Sequence, residues 1–326
     1  MGIINFPKTQ STRRLPFSGV TLVDLFAGGG GTTEGANKLG VRTLWAANHN
    51  PVAVETYKLN NPHTPDVVCQ DLHQADFSLV PKHDLLWGSP CCQGHSNAAG
   101  AKKKTIKADI SRSTAWAIIS ALEVHKSKIA IIENVSEFLE WKLYPAWELA
   151  LKQLGYSISI NILNACDFGV PQSRLRIFIV CTRTKHPIQI DFTKYYTSHV
   201  PASSFVDMNI NDYKWDLVEN KVANTRARIE QGRRDFGFVL LDAAYGSAKT
   251  GRSINKPLGS VLCANKHYLV IGDLIRPLSV SELAKAQSFD ENYIWPKSKV
   301  KAKQLIGNAV PPLMAEKILE AVLTAA

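Results

Sequence analysis

Short apolar runs recur along the first half of the chain, and each ends in a glycine, a proline or a polar turn. Residues 19–26 are β-branched and apolar, which predicts a buried strand, and the glycines after it precede a helical stretch. Further strands are predicted at residues 41–47, 67–71, 84–88, 128–135, 157–163 and 174–180, and helices at 32–39, after 51, at 110–126 and at 143–154. This alternation predicts an α/β fold with an open, mostly parallel, Rossmann-like sheet whose ligands bind at the carboxyl ends of the strands.

The alternation stops at about residue 184 and resumes after 272, and the segment between is rich in Asn, Asp, Lys, Arg and Tyr. We therefore predict a first domain at 1–183, a smaller, irregular domain at 184–272 with a strand-like run at 236–241, and a return to the first domain at 273–326. Helices are predicted at 281–288 and 313–323. Eight Lys or Arg oppose three acids between residues 221 and 256, so the small domain is expected to carry a basic face.

The whole chain is basic as well. Its 326 residues include 38 Lys and Arg against 28 Asp and Glu, a formal net charge of +10, which favours an anionic partner such as nucleic acid. Six cysteines show no CxxC spacing, so neither a zinc site nor a disulfide framework is expected. With no apolar leader and no run near the ~20 apolar residues of a membrane span, we expect a protein of the cytoplasm.

Two adjacent cysteines, Cys91 and Cys92, follow the predicted strand at 84–88 on a tight Gly-Ser-Pro turn. A small, polar and basic segment comes next. A cysteine on a rigid turn at a strand end suits a nucleophile that meets an anionic polymer. Cysteines more often pack as small hydrophobic side chains, and this stretch alone leaves both interpretations open.

Six motifs in one order resemble those of the cytosine-C5 DNA methyltransferases. They are DLFAGGGG at 24–31, PCCQGHS at 90–96, ENV at 133–135, PQSRLR at 171–176, RPLSVSEL at 276–283 and IGNAVPP at 306–312. The resemblance implies a methyltransferase of bacterial or phage type, S-adenosylmethionine as methyl donor, S-adenosylhomocysteine as product and double-stranded DNA as partner. It also implies a monomer in the bacterial cytoplasm, with a cognate restriction endonuclease, where one is present, acting separately.

In that family a cysteine thiolate adds to C6 of a cytosine that is flipped out of the duplex, which activates C5 for methylation. The resemblance assigns the thiolate to Cys92, whereas Cys91 stands where a second proline is common. Glu133 would bond ring N3 and the exocyclic amine. Arg176 would hold the cytosine O2 and the carboxylate, and Arg174 would support the same pocket or the backbone.

The resemblance further implies a cofactor site. Phe26 would lie against the adenine, Asp71 would meet the adenine amine, and Asn308 would meet the methionine end. Asn48 replaces the usual ribose-binding glutamate, and His49 stands where an aromatic or apolar group often covers the adenine, unless it is an ordinary exposed histidine. The remaining predicted cofactor contacts are Ala27, Gly28, Gly30, Pro90 and Ala309.

For DNA, the segment after Cys92 would form a mobile lid that contacts phosphates, although a merely solvated lysine cluster is the alternative. The small domain would be the target-recognition domain and would lie in the major groove. The candidate DNA contacts are Ser96, Lys102, Lys103, Arg112, Arg233, Arg234 and Arg252.

Two rival functions remain open at this point. One is an RNA (tRNA) cytosine-C5 methyltransferase on the same scaffold, and the other is a catalytically inactive DNA-binding relative. Comparing methyl transfer to duplex DNA with transfer to tRNA distinguishes an RNA methyltransferase from a DNA methyltransferase. Trapping of a covalent adduct on 5-fluorocytosine DNA would exclude the inactive DNA-binding relative. A thiol hydrolase that pairs Cys92 with His95 is disfavoured, because such pairs normally meet across the fold.

Overall fold

The computed structural model describes residues 15–91, 114–243, 248–264 and 266–326. Its main sheet contains β1 (Thr21–Leu25), β2 (Arg42–Asn48), β3 (Asp66–Cys69), β4 (Leu85–Gly88), β5 (Ile129–Asn134), β6 (Ser157–Asn164) and β8 (Leu175–Thr182). The strands lie in the order β3-β2-β1-β4-β5-β8-β6. The pairs from β3 to β5 are parallel, and β8 runs antiparallel to both of its neighbours. The predicted α/β fold with a mostly parallel sheet is therefore confirmed.

Helices cover both faces of this sheet, because its strands are apolar on both sides. They include α1 (Gly31–Lys38), α2 (Pro51–Asn60), α3 (Trp116–His125), α4 (Tyr144–Gln153) and, at the end of the chain, α8 (Pro312–Ala325). Val23 of β1 belongs to the core with α3 and α4, whereas its neighbour Leu22 belongs to the core with α1 and α8. The last helix thus packs on the main sheet together with α1.

The segment predicted as a second domain, called the second domain below, is more regular than the sequence indicated. It contains α5 (Ala223–Phe236) and a sheet of β9 (Asp216–Leu217), β10 (Val239–Ala243), β11 (Arg252–Ser253), β13 (His267–Ile271) and β14 (Leu274–Pro277). This sheet is antiparallel, in the order β11-β10-β13-β14-β9. The strand-like run at 236–241 straddles two elements, since α5 ends at Phe236 and β10 starts at Val239. Strands of two to five residues leave too little periodicity to be recognised.

The predicted boundary at residue 273 falls in the turn between β13 and β14. Gly272 adopts a φ of 54° there, and β14 returns along β13. The second sheet therefore reaches Pro277. Two helices follow, α6 (Val280–Ala286) and α7 (Lys299–Asn308), and β7 (Gln172–Ser173) pairs with β12 (Leu258–Gly259) between the two halves of the chain. Within the described residues, no helix is both long and apolar enough to cross a membrane.

Candidate active site

An acid and an arginine meet at the carboxyl end of β5. Glu133 is the next-to-last residue of β5, and Arg176 lies near the start of its antiparallel neighbour β8. The Nε of Arg176 is 3.1 Å from Oε1 of Glu133, and the two side chains are 13% and 11% exposed. Arg176 Nη1 also donates to the carbonyl of Leu175 at 2.7 Å. The pair is thus shielded but open to a ligand, with a hydrogen-bond acceptor and donors side by side.

The turn after β4 is tied to the same strand end. Asn134 Nδ2 donates to the carbonyl of Pro90 at 3.2 Å, and its Oδ1 accepts from the amide of Val135 at 2.8 Å. The amide of Cys91 donates to Thr114 Oγ1 at 3.1 Å. These bonds fix the start of the segment that carries the predicted nucleophile. Cys92 itself lies outside the described residues, as do Ser96, Lys102, Lys103 and Arg112.

The turn between β1 and α1 has a left-handed backbone at three residues, with φ of 62° at Phe26, 55° at Gly28 and 97° at Gly30. Positive φ is uncommon for a residue like Phe26 and marks backbone strain of the kind found at binding sites. A Cβ on Gly28 would meet only the Phe26 carbonyl, at 4.0 Å. This open approach at the carboxyl end of a central strand fits a bound cofactor.

Gly30 serves a different purpose. A Cβ there would come within 2.6 Å of Asn61 Nδ2 and 2.9 Å of the Tyr293 hydroxyl, and its amide donates to the carbonyl of Ala27. The hydroxyl of Tyr293 donates to the carbonyl of Gly29. The positive φ and the close protein packing together explain the glycine at position 30.

Three predicted cofactor residues lie at the ends of β2 and β3, beside this turn. Asn48 Oδ1 accepts from the amide of Asn50 at 3.0 Å, and His49 is exposed. Asp71 Oδ1 accepts from the amide of His73 at 3.0 Å, and the residue is exposed. Because parallel strands end at one edge of the sheet, these side chains share that edge with Phe26.

The end of α7 supplies the last predicted cofactor residues, Asn308 and the buried Ala309. The thiol of Cys263 donates to Asn308 Oδ1 at 2.8 Å. Burial raises the pKa of the Cys263 thiol, which keeps the proton on sulfur for this bond. Cys263 had no predicted role, and no local pattern marks it. A Cβ on Gly29 would lie 3.9 Å from Leu305 of α7, so this helix reaches the glycine turn.

Arg174 makes different contacts from Arg176. It is 2% exposed, and its guanidinium donates to the carbonyls of Val261 and Gly307, each at 3.1 Å. Of the two roles predicted for Arg174, these bonds favour support of the backbone.

The basic candidates in the second domain differ in their surroundings. Arg233 is held by Glu230, by Asp273 at 2.9 Å and by the carbonyl of Gly272. These local partners disfavour Arg233 as a DNA contact. Arg234 and Arg252 are exposed, and both remain candidates.

A group of possible metal ligands includes two residues of the turn that follows β6. The ligand atoms of Cys166, Asp167 and His199 lie within 4.8 Å of one another. The ring of His199 is 2.8 Å from Asp167 Oδ1, and burial raises the pKa of the Cys166 thiol to about 11. A hydrogen bond between His199 and Asp167 accounts for this arrangement.

Known proteins resemble this chain in sequence and in fold. Type II methyltransferase M1.HphI of Haemophilus parahaemolyticus is 28% identical over 332 residues, which cover 93% of this chain and 87% of that protein. M.HhaI of the same organism is 26% identical over 317 residues, covering 90% and 91%. The solved structure of the S. pombe Dnmt2 methyltransferase, at 19% identity, covers 93% of this chain and 98% of its own with a TM-score of 0.65, which shows the shared fold. The profile of the C-5 cytosine-specific DNA methylases matches residues 20–324, and this chain belongs to that family.

Proposed function

We propose that this protein methylates C5 of a target cytosine in double-stranded DNA. The observation that carries the proposal is the ion pair of Glu133 and Arg176, at the strand end bonded to the turn that leads to Cys92. Burying a carboxylate near the end of an apolar strand is costly unless it is paired, and partial exposure of the pair suits a ligand more than a core.

The residues divide the chemistry between them. The Cys92 thiolate forms a bond to C6, and the electron pair displaced from the C5–C6 double bond makes C5 nucleophilic. Glu133 hydrogen-bonds N3 and the exocyclic amine, and Arg176 binds O2. These fixed groups stabilise the charge that develops on the ring. Once C5 carries the methyl group, loss of the C5 proton expels the Cys92 thiolate from C6 and restores the aromatic ring.

S-adenosylmethionine, when bound, supplies the electrophilic methyl group. We propose that its adenosine part is held by Phe26, Asp71, Asn48 and His49. Its methionine part would be held by the turn at Gly28 and by Asn308. The open approach at Gly28 supports this assignment. Because Asn48 is neutral where a carboxylate is usual, its bond to a ribose hydroxyl lacks charge assistance and should be weak.

The DNA would lie against both domains. A cytosine inside a duplex cannot present C6 to a thiolate, so the target base must leave the stack. The net charge of +10 supports binding to phosphates. We propose that the second domain reads the target sequence, with Arg234 and Arg252 as candidate contacts.

Bisulfite sequencing of DNA from cells that express the protein tests the proposal. We expect cytosines in one sequence context to be protected by the unaltered protein and unprotected with Glu133→Gln. Radiolabelled methyl transfer to duplex DNA and to tRNA, measured in parallel, identifies the substrate class. Transfer to tRNA alone, or no protected cytosine at all, would refute the proposed activity.

A further inference from the structure

Two side chains of the PQSR segment hold one residue of the second half of the chain by both its main-chain groups. Gln172 is fully buried, and its Oε1 accepts from the amide of Val261 at 2.6 Å. Arg174 Nη1 donates to the carbonyl of Val261 at 3.1 Å. Val261 lies two residues after the end of β12, and β12 pairs with β7 at Gln172. The segment between β11 and β13 of the second sheet is therefore fixed to the first domain at this point.

The same two side chains also serve the C-terminal end of α7. Arg174 Nη2 donates to the carbonyl of Gly307 at 3.1 Å. Gln172 Nε2 donates to Gln287 Oε1 at 2.8 Å, and Gln287 Nε2 donates to the carbonyl of Ile306 at 2.6 Å. The last carbonyls of a helix lack partners within it, and a cation at this end is favourable to the helix dipole. The last turn of α7 has no basic residue of its own, and Arg174 supplies the charge.

The end of α7 leads directly to Asn308. A Cβ on Gly307 would come within 2.4 Å of Leu262 and Cys263, so the helix end and residues 261–263 are in close contact. Cys263 donates to Asn308, and Arg176 of the ion pair stands two residues after Arg174. If Val261 moved, Asn308 and the strand that carries Arg176 would therefore be displaced as well.

We propose that Gln172 and Arg174 are positioning residues that set the place of Asn308 and so link the second domain to cofactor affinity. This inference rests on the proposed function, in which Asn308 holds the methionine part of the cofactor. A planar guanidinium reaches two carbonyls at once, whereas a lysine ammonium is a point charge on a flexible stem and replaces both bonds poorly. The inference thus predicts a loss of affinity even where the positive charge is retained.

Calorimetric titration of the full chain with S-adenosylhomocysteine, without DNA, provides the test. We expect Arg174→Lys and Gln172→Met each to raise the Kd about tenfold, as when a supporting contact behind a ligand-binding group is lost. Arg183→Lys is the matched control, because Arg183 Nη1 also donates to the carbonyl of a helix-terminal residue, Leu154, but at the end of α4. It should leave the Kd within about twofold, and thermal melting should show all three variants folded. Gln172→Met still decides the question if Arg174→Lys fails to fold.

A double-mutant cycle separates positioning from general support of the fold. If Arg174 acts through Asn308, the variant with both Arg174→Lys and Asn308→Ala should bind no more weakly than Asn308→Ala alone. Losses that add, or an unchanged Kd in both folded single variants, would overturn the inference. Failure of the unaltered protein to bind S-adenosylhomocysteine would instead refute the cofactor assignment of the proposed function.

Discussion

Arg176 Nε lies 3.1 Å from Glu133 Oε1, across the antiparallel pairing of β5 and β8. The direction of β8 explains the contact. In the register, Asn134 at the end of β5 is opposite Ile177 near the start of β8, so the last residues of one strand meet the first residues of the other. A parallel β8 would bring the arginine to the opposite edge of the sheet.

Replacing Glu133 by glutamine should abolish most methyl transfer. The change removes the charge next to Arg176 and the proton donor or acceptor at ring N3, and such groups contribute about 10²–10⁴-fold to rate. We expect the rate with radiolabelled donor to fall at least about 10²-fold while S-adenosylhomocysteine binding is unchanged. Glu140→Gln, an exposed acid on the following turn, is the control. Full activity of Glu133→Gln would remove this residue from the mechanism.

The two adjacent cysteines should respond differently to substitution. Only Cys92 is expected to add to the base, so Cys92→Ser should form no covalent adduct on 5-fluorocytosine duplex DNA. Cys91→Pro removes the amide that donates to Thr114 but should still retain much of the adduct, because proline is common in the family at that position. A gel that separates protein from protein–DNA adduct measures both. The reverse pattern would assign the nucleophile to Cys91.

Substitution of Gly307 by alanine should destabilise the fold. The new Cβ would lie 2.4 Å from main-chain atoms of Leu262 and Cys263, which cannot move aside as a flexible side chain would. Overpacking costs about 1–3 kcal/mol, which exceeds the ~1 kcal/mol that alanine gains over glycine inside a helix. Urea unfolding measures the net loss. Gly19→Ala, whose Cβ would meet nothing within 4 Å, should be neutral, and equal stabilities would argue against close contact at Gly307.

The stability of the protein should depend on pH through Asp24. Burial raises the pKa of Asp24 to about 7, against the hydrogen bond from Thr33 that lowers it. Because this folded-state pKa exceeds the ordinary value near 4, the stability that the protonated acid contributes is complete below about pH 4 and is lost as the pH rises through about 7. An asparagine stays uncharged throughout. The free energy of unfolding of Asp24→Asn relative to the unaltered protein should therefore be higher at pH 8 than at pH 5.

Asp84 provides the control for this pH effect. The hydrogen bond from Lys128 lowers the pKa of Asp84, so its contribution is complete above about pH 4 and is lost only below that value. The difference between Asp84→Asn and the unaltered protein should thus be the same at pH 5 and pH 8. If the unfolding free energies of both variants run parallel to that of the unaltered protein between pH 5 and pH 8, Asp24 is ionised in the folded protein throughout this range.

Removal of Arg276 should destabilise the second domain strongly. Its guanidinium is buried and donates to both oxygens of Glu282, at 2.8 and 2.7 Å, and lies 3.9 Å from the ring of Tyr213. Breaking a buried ion pair from one side costs about 3–5 kcal/mol. Urea unfolding of Arg276→Ala measures the effect. The exposed pair of Glu148 and Lys152 is the control, where Glu148→Gln should cost less than about 1 kcal/mol.

The main sheet could be predicted from sequence because its strands are continuous apolar runs that end in glycine or polar turns. The second sheet could not, since β9 and β11 are only two residues long and β9 pairs with the distant β14. Glu133 and Arg176 were recognised because their residue types stand out in family motifs. Gln172 was not, although it lies in the same motif as Arg176. Nothing near it in sequence shows that its amide meets Val261 and Gln287.

The sequence alone determined the α/β class, the strand ends at which chemistry is expected and the family. The class and the strand ends follow from periodicity and turn residues, which depend on neighbours along the chain, whereas the family follows from the resemblance of six motifs. Tertiary structure decided which polar groups meet. Arg174 and Arg176 differ by two positions, yet one binds the carbonyls of Val261 and Gly307 and the other binds Glu133. A buried polar group must find its partner in three dimensions, and the partners here come from segments tens of residues apart, whose meeting only the packed fold fixes.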